Sequence, residues 1–386
     1  MSKKVWFAVS VVLIVALALT AVGCGGGSTV EEPEVIKIGA IFPLTGEIAT
    51  FGQSSQEAIE LALEEVNAAG GVLGKQVEII FYDNKGTAAE SSLAAEKLIE
   101  SDGVVAILGP VASTNTLAAA PVAQDAGVVL MSPTSTNPAV TEVGDFIFRS
   151  CFIDPFQGQV AAQFALEDLE GKTAAILTDM GSDYSKGLRD VFEEAFTAGG
   201  GEVLVKEGFT DQDKDFTAIL TTVKAADPDV VYIPSYYGTA GLILKQADEQ
   251  GIDAYFLGAD GWDSPQLFEL AGDAANGGFF TNHYSPDASS PELDAFVAAY
   301  EAKYNGKTPD ALAALAYDAA KLMFDAIERA GSVDSLAIRD ALAATDGFVG
   351  VSGTITFDEF RNPIKSAVII EIVDQAQVYK TTIDPK

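Results

Sequence analysis

Apolar and polar positions along the chain follow two periods. Short runs that are apolar throughout or at alternate residues predict strands over 35–42, 76–82, 104–108, 128–131 and 146–149. Apolar residues three and four apart predict helices between them, over 53–68, stopped by Gly70 and Gly71, and over 88–100. An alanine-rich helix joins 104–108 to 128–131, which makes a β-α-β unit with buried parallel strands. The layout then restarts. Strands at 173–178, 202–209, 229–233 and 255–257 surround helices at 183–198 and 215–226. Helices at 291–304, 309–330 and 335–344 follow, with closing strands near 354–357 and 367–373. Ala69-Gly70-Gly71, strand, Asp83, helix, Asp102, strand, Gly109-Pro110 is echoed by Ala198-Gly199-Gly200, strand, Asp211, helix, Asp227, strand, Pro234-Ser235. This weak internal repeat predicts an α/β protein with two lobes of like topology.

Two of these strands end in hydroxyl-rich turns, Ser113/Thr114/Thr116 and Thr134/Ser135/Thr136. Ligands of open α/β sheets bind beyond the carboxyl ends of the strands, where both clusters fall. Ser113 also begins a helix, so free N–H groups and the helix dipole favour an anion such as a carboxylate there. Taken singly, each residue serves equally well as a cap or turn former. Two clusters at adjacent strand ends favour a site.

A length of 386 residues suits two domains, each with its own core. Lys3 and Lys4 precede an apolar run over 5–19, then Ala21-Val22-Gly23-Cys24, which reads as a secretory signal. The run is short for a membrane span. Glycine-rich residues 25–28 and the acidic residues 31–34 then read as a tether. With 23 Lys and Arg against 56 Asp and Glu, the net charge of −33 argues against nucleic acid and anionic lipid headgroups. Only Cys24 and Cys151 are present, there is one histidine, His283, and no metal, phosphate-loop or nucleophile-elbow motif occurs. Cys151 with His283 is the one conceivable nucleophile–base pair, set against a buried thiol and an ordinary histidine.

Residues 37–46, 67–74, 109–116, 132–136, 179–187 and 258–262 together resemble the branched-chain amino-acid-binding proteins of bacterial ABC importers, the leucine/isoleucine/valine-binding family. The likeness covers nearly the whole chain after the signal. It implies the type I periplasmic-binding fold, two Rossmann-like lobes with mostly parallel sheets joined by a three-crossing hinge. Cys24 resembles a lipobox cysteine, which implies cleavage after Gly23 and lipid on Cys24. By the same resemblance Ser113 holds the ligand carboxylate, Thr134 offers its carbonyl to the ammonium, and Thr136 contacts the charged end. Tyr184 and Tyr236 fold over the ligand, and Asp260 pairs with the ammonium. Phe51, Trp262 and Leu312 complete the side-chain wall. Asp260 is one methylene shorter than the glutamate of the best-known member, Phe51 replaces its tyrosine, and Ala112 stands where that member has a disulfide cysteine. These departures put reach, wall polarity and ligand identity in question.

The expected division is a signal at 1–23, a lipidated tether at 24–34, one lobe from 35–153 and 284–361, and the other from 154–283 and 362–386. Crossings are expected near Asp154, His283 and Asn362. The expected function is capture of an amino acid, aliphatic or branched-chain first, by hinge closure, and delivery to the permease and ATPase subunits of an ABC importer. The chain is expected to be a lipid-anchored extracytoplasmic monomer with no cofactor. The alternatives are a same-fold sensor for an amide, urea or another amino acid, and an extracytoplasmic enzyme using Cys151.

Overall fold

A computed structural model describes residues 35–285 and 288–385. The expected signal, tether and Cys24 lie outside the described residues.

In chain order the first sheet and its helices are β1 (Val35–Phe42), α1 (Ala49–Ala68), β2 (Gln76–Asp83), α2 (Ala88–Lys97), β3 (Ala106–Leu108), α3 (Ser113–Ala126), β4 (Val129–Ser132), α4 (Ala139–Glu142) and β5 (Ile147–Arg149). Its strands run parallel in the order β2-β1-β3-β4-β5. The order reverses beside β1 and β3, so the carboxyl ends of these strands open a crevice, the usual ligand position in such sheets. β3, β4 and β5 are buried at every residue, which is why they read as unbroken apolar runs. Thr87 caps α2 by accepting the Glu90 N–H at 3.3 Å.

The second body follows with α5 (Asp154–Glu167), β6 (Thr173–Asp179), α6 (Asp183–Ala198), β7 (Glu202–Phe209), α7 (Thr217–Ala226), β8 (Val230–Tyr232), α8 (Tyr237–Gln250), β9 (Tyr255–Gly258), α9 (Pro265–Ala271) and β10 (Phe279–Asn282). The chain then forms α10 (Pro291–Lys303), α11 (Ala311–Ala330), α12 (Ser335–Ala343) and the small hairpin β11 (Phe348–Gly350) and β12 (Gly353–Ile355). It ends with β13 (Ala367–Val373) and β14 (Ala376–Ile383). The second sheet has the order β14-β13-β10-β9-β8-β6-β7, parallel from β7 to β10 and antiparallel at β13 and β14. Both sheets are thus mostly parallel, as expected of the fold.

α11 packs against α1 of the first sheet's layer. Its fifteen buried residues are mostly alanine and leucine, small enough for close helix contact. The chain leaves the first sheet after Arg149 and the second after Asn282, where helices that include α11 on α1 follow, and it rejoins the second sheet at β13 after the β11–β12 hairpin.

The bodies around the two sheets meet across the crevice. Thr50 and Ser264 hydroxyls lie 3.0 Å apart, and the Asp183 N–H donates to Thr114 Oγ1 at 2.9 Å. Asn137 Nδ2 donates to the Asp183 carbonyl at 2.9 Å, and Lys214 pairs with Glu47 at 2.8 Å. Phe51 stands edge-on to both Tyr236 and Tyr237.

Candidate functional site

A small cavity of ≈ 20 Å³ lies between the sheets, lined by Phe51, Val111, Ser113, Thr134, Tyr184, Tyr236, Asp260, Gly261, His283 and Leu312. That volume holds about one water-sized centre. Seven of the residues singled out from the sequence converge here: Phe51, Ser113, Thr134, Tyr184, Tyr236, Asp260 and Leu312.

The first sheet supplies the hydroxyl side. Ser113 opens α3, and its Oγ accepts the Asn137 N–H at 3.2 Å, which leaves its own proton free to donate. α3 draws on the Asn115 and Thr116 N–H groups for its first turn, both bonded to the Ala112 carbonyl at 3.0 Å. The N–H groups of Ser113 and Thr114 precede that turn and belong to the helix's positive end. Thr134 follows β4 and donates its hydroxyl proton to the Val111 carbonyl at 3.1 Å, so toward a guest that oxygen can only accept.

The second sheet supplies the acid. β9 ends at Gly258, and a single 3₁₀ turn over Asp260–Trp262 carries Asp260 into the cavity wall, 8% exposed. Tyr184 Oη and Gln157 Nε2 donate to its Oδ1, each at 2.7 Å, and His283 Nε2 lies 3.1 Å from Oδ2. Tyr184 in turn accepts the Gly261 N–H at 3.0 Å and stacks on Tyr236 with 5.1 Å between ring centres. A Cβ at position 261 would lie 2.8 Å from the Ser235 carbonyl oxygen and 3.1 Å from Tyr184 Oη, so only glycine allows this approach. Burial and the neighbouring Asp260 push Tyr184 well above the usual phenol range, and burial raises Tyr236 likewise, so both remain neutral donors.

Trp262 does not line the cavity, contrary to expectation. The 3₁₀ turn, closed by the Trp262 N–H on the Ala259 carbonyl at 2.9 Å, folds the indole back over its own strand. Its ring lies on Gly258, where a Cβ would come within 2.2 Å, and Nε1 donates to the Ile233 carbonyl at 3.1 Å. It is a fully buried lobe-core tryptophan.

Thr136 is also absent from the wall. It is fully buried and its carbonyl accepts the Asp154 N–H at 2.9 Å, so it serves the start of α5 at the first crossing. Nor do Cys151 and His283 form a nucleophile–base pair. The Cys151 thiol donates to the Ser135 carbonyl at 3.4 Å, and burial pushes it up to about 12, far from the thiolate a nucleophile needs. The His283 Nε2 is taken by Asp260. Among the described residues, no group of three or more His, Cys, Asp or Glu is arranged to hold a metal, and no helix is long and apolar enough to cross a membrane.

His283, which the sequence offered only as a base for Cys151 and as a crossing, and Gln157, which it did not offer, are the further functional candidates. They reach Asp260 from 23 and 103 residues away in the chain. A glutamine buried in the apolar face of α5 is the only local sign of the second.

The sequence profile described as "Periplasmic binding protein" matches residues 35–377. The Leu/Ile/Val-binding protein BraC3 of Rhizobium johnstonii is 34% identical over 326 residues, 84% of this chain and 88% of that protein. The crystal structure of a leucine-binding protein, LivK, from Thermotoga maritima is 42% identical, with a TM-score of 0.88 over 91% of this chain and 99% of that one. LivJ from Streptococcus pneumoniae, a branched-chain amino-acid transporter substrate-binding protein solved in complex with isoleucine, is 36% identical, with a TM-score of 0.86 over 91% and 100%. On sequence and on fold, the chain belongs to the periplasmic binding protein family.

Proposed function

We propose that this chain is the extracytoplasmic receptor of an ABC importer, that it captures an aliphatic, branched-chain amino acid between its lobes, and that it catalyses no reaction. The observation that carries the reading is the polarity of one small cavity. A carboxylate fed by three donors, Asp260, faces the start of α3 with the free Ser113 proton, and Phe51, Leu312, Tyr184 and Tyr236 close the space between. An α-amino acid needs that combination, since each of its two charges must meet a partner once water is excluded. The names of the similar proteins, leucine- and isoleucine-binding, support the aliphatic choice.

In this reading one lobe comprises 35–153 and 284–361, and the other 154–283 and 362–386. The ligand docks on one lobe, and closure brings the other over it. Ser113 and the α3 N–H groups hold the carboxylate, the Thr134 carbonyl and Asp260 hold the ammonium, and the stacked tyrosines exclude water. The closed shape then docks on the importer's permease, with the lipid on Cys24 keeping the monomer at the membrane.

Calorimetry with leucine, isoleucine, valine, glutamate and benzoate tests the ligand class. One-site binding of the three aliphatic amino acids, with thermal stabilisation of about 2.7 kcal/mol at 100 times the dissociation constant, supports it. Saturable binding of glutamate or benzoate alone refutes it. Ser113→Ala is expected to weaken leucine binding by about 1–3 kcal/mol, because the backbone N–H groups still face the carboxylate. Equal affinities for Ser113→Ala and wild type would remove Ser113 from the site. For the anchor, the intact mass of membrane-extracted protein should be that of a chain beginning at Cys24 plus acyl groups. A mass without lipid excludes it.

A further inference from the structure

His283 is a buried titratable group that lines the cavity, and among the described residues its ring is hydrogen-bonded to Asp260. Its imidazole stacks on Phe152 at the first crossing, 3.7 Å between ring centres, while His283 itself begins the second crossing. Its Nδ1 is buried with no hydrogen-bond partner. The ring is thus fixed on both faces of the hinge with only its Nε2 employed. Asp260 Oδ1 already takes two donors, so Oδ2, the oxygen His283 touches, has the freer lone pairs for an incoming ammonium.

We propose that His283 is a positioning residue of the ligand site that couples amino-acid capture to release of a proton. This rests on the reading of Asp260 as the ammonium partner. Neutral His283 donates Nε2–H to Asp260 and leaves the carboxylate's charge for the ligand. Protonated His283 neutralises that charge and sets a second cation beside the ammonium's place. Capture below the imidazole's own titration range therefore expels one proton, from His283 Nδ1 to solvent, while Nε2 keeps its proton on Asp260.

Other groups face the ring. Asp260 and Asp263 come from the turn after β9, and Lys365 from the third crossing. Burial lowers the imidazole, and it outweighs Asp260, which alone would raise it. Closure thus favours the neutral ring. Among the neighbouring groups of this region, Cys151 is pushed up to about 12 and Asp154 to about 8, both by burial, and Tyr184 is raised too. Asp310 is raised to about 7 by burial and Asp263, so it and Asp154 are carboxyls that can contribute to the same pH response. A His283 variant separates its contribution.

His283 is the single histidine of the chain, so its imidazole C–H signals need no assignment in the proton NMR spectrum of untagged protein. Titrated without and then with saturating L-leucine, the midpoint should move down by at least about one pH unit. The leucine dissociation constant should rise as pH falls from 7.5 to 5.0, by up to about tenfold for each pH unit that leucine lowers the midpoint, and calorimetry at pH 5.5 in two buffers of different ionisation enthalpy should show net proton release. His283→Gln, which keeps an N–H donor, should bind at pH 7.5 and lose most of that pH slope. An unchanged midpoint on leucine saturation, or a His283→Gln slope equal to wild type, overturns the proposal. Absence of amino-acid binding at pH 7.5 instead overturns the ligand reading, and this inference with it.

Discussion

Replacing Asp260 with asparagine is expected to weaken leucine binding by roughly 2–5 kcal/mol, about 30- to 5,000-fold, while the protein folds as before. The ligand's ammonium would enter a closed, water-poor cavity and find a neutral amide where a counter-charge stood. The fold has reason to tolerate the change. The asparagine Oδ1 can still accept from Tyr184 and Gln157, which both bond Oδ1 of Asp260 now. Its Nδ2 would face His283, which can answer by moving its proton to Nδ1 and accepting at Nε2. Calorimetry checks the affinity and a thermal melt checks the fold. Native stability with unchanged affinity would sink the assignment of Asp260.

Asp260 was legible through the family resemblance, and its place at the end of an apolar run, among glycines, agrees with where the topology of parallel sheets puts ligands. That topology by itself pointed to Ser113 and Thr134. It failed at Thr136, two residues farther on, because the chain there has already turned toward the first crossing. Residues that reach Asp260 from other elements carried no such mark. Gln157 lies on α5, whose buried residues include Val160, Ala161, Ala162, Phe164 and Ala165. Burial on nearly every side leaves no polar stripe, so neither the helix nor its polar member stands out by period. β14 escaped notice for the opposite reason. It is an edge strand, exposed or half-exposed at every residue, and nothing apolar distinguishes it from a loop. The central strands of both sheets were legible since both of their faces are covered, which only apolar runs satisfy.

Trp262 gives the last expectation, and it reverses the role the sequence suggested. Position along the chain put the indole two residues from Asp260, but side-chain direction depends on the turn between them. In the 3₁₀ turn the ring folds onto Gly258, within 6.5 Å of Phe280 between ring centres, and Nε1 donates to the Ile233 carbonyl. Trp262→Ala should therefore act mainly on stability. Removing a fully buried indole from a packed core costs about 3–5 kcal/mol through lost burial and the cavity left behind, and the Ile233 carbonyl loses its donor. Trp262→Phe should recover part of that loss, because it refills most of the volume but cannot donate to Ile233. Urea unfolding followed by far-ultraviolet circular dichroism reads both variants without relying on the missing fluorophore. In the wild type, leucine should leave the emission of Trp262 nearly unchanged, since closure alters the solvent around Tyr184 and Tyr236 and not around a ring already dry. An alanine variant as stable as wild type, with leucine affinity reduced at least tenfold, would return Trp262 to the ligand wall and require the turn after β9 to be redrawn.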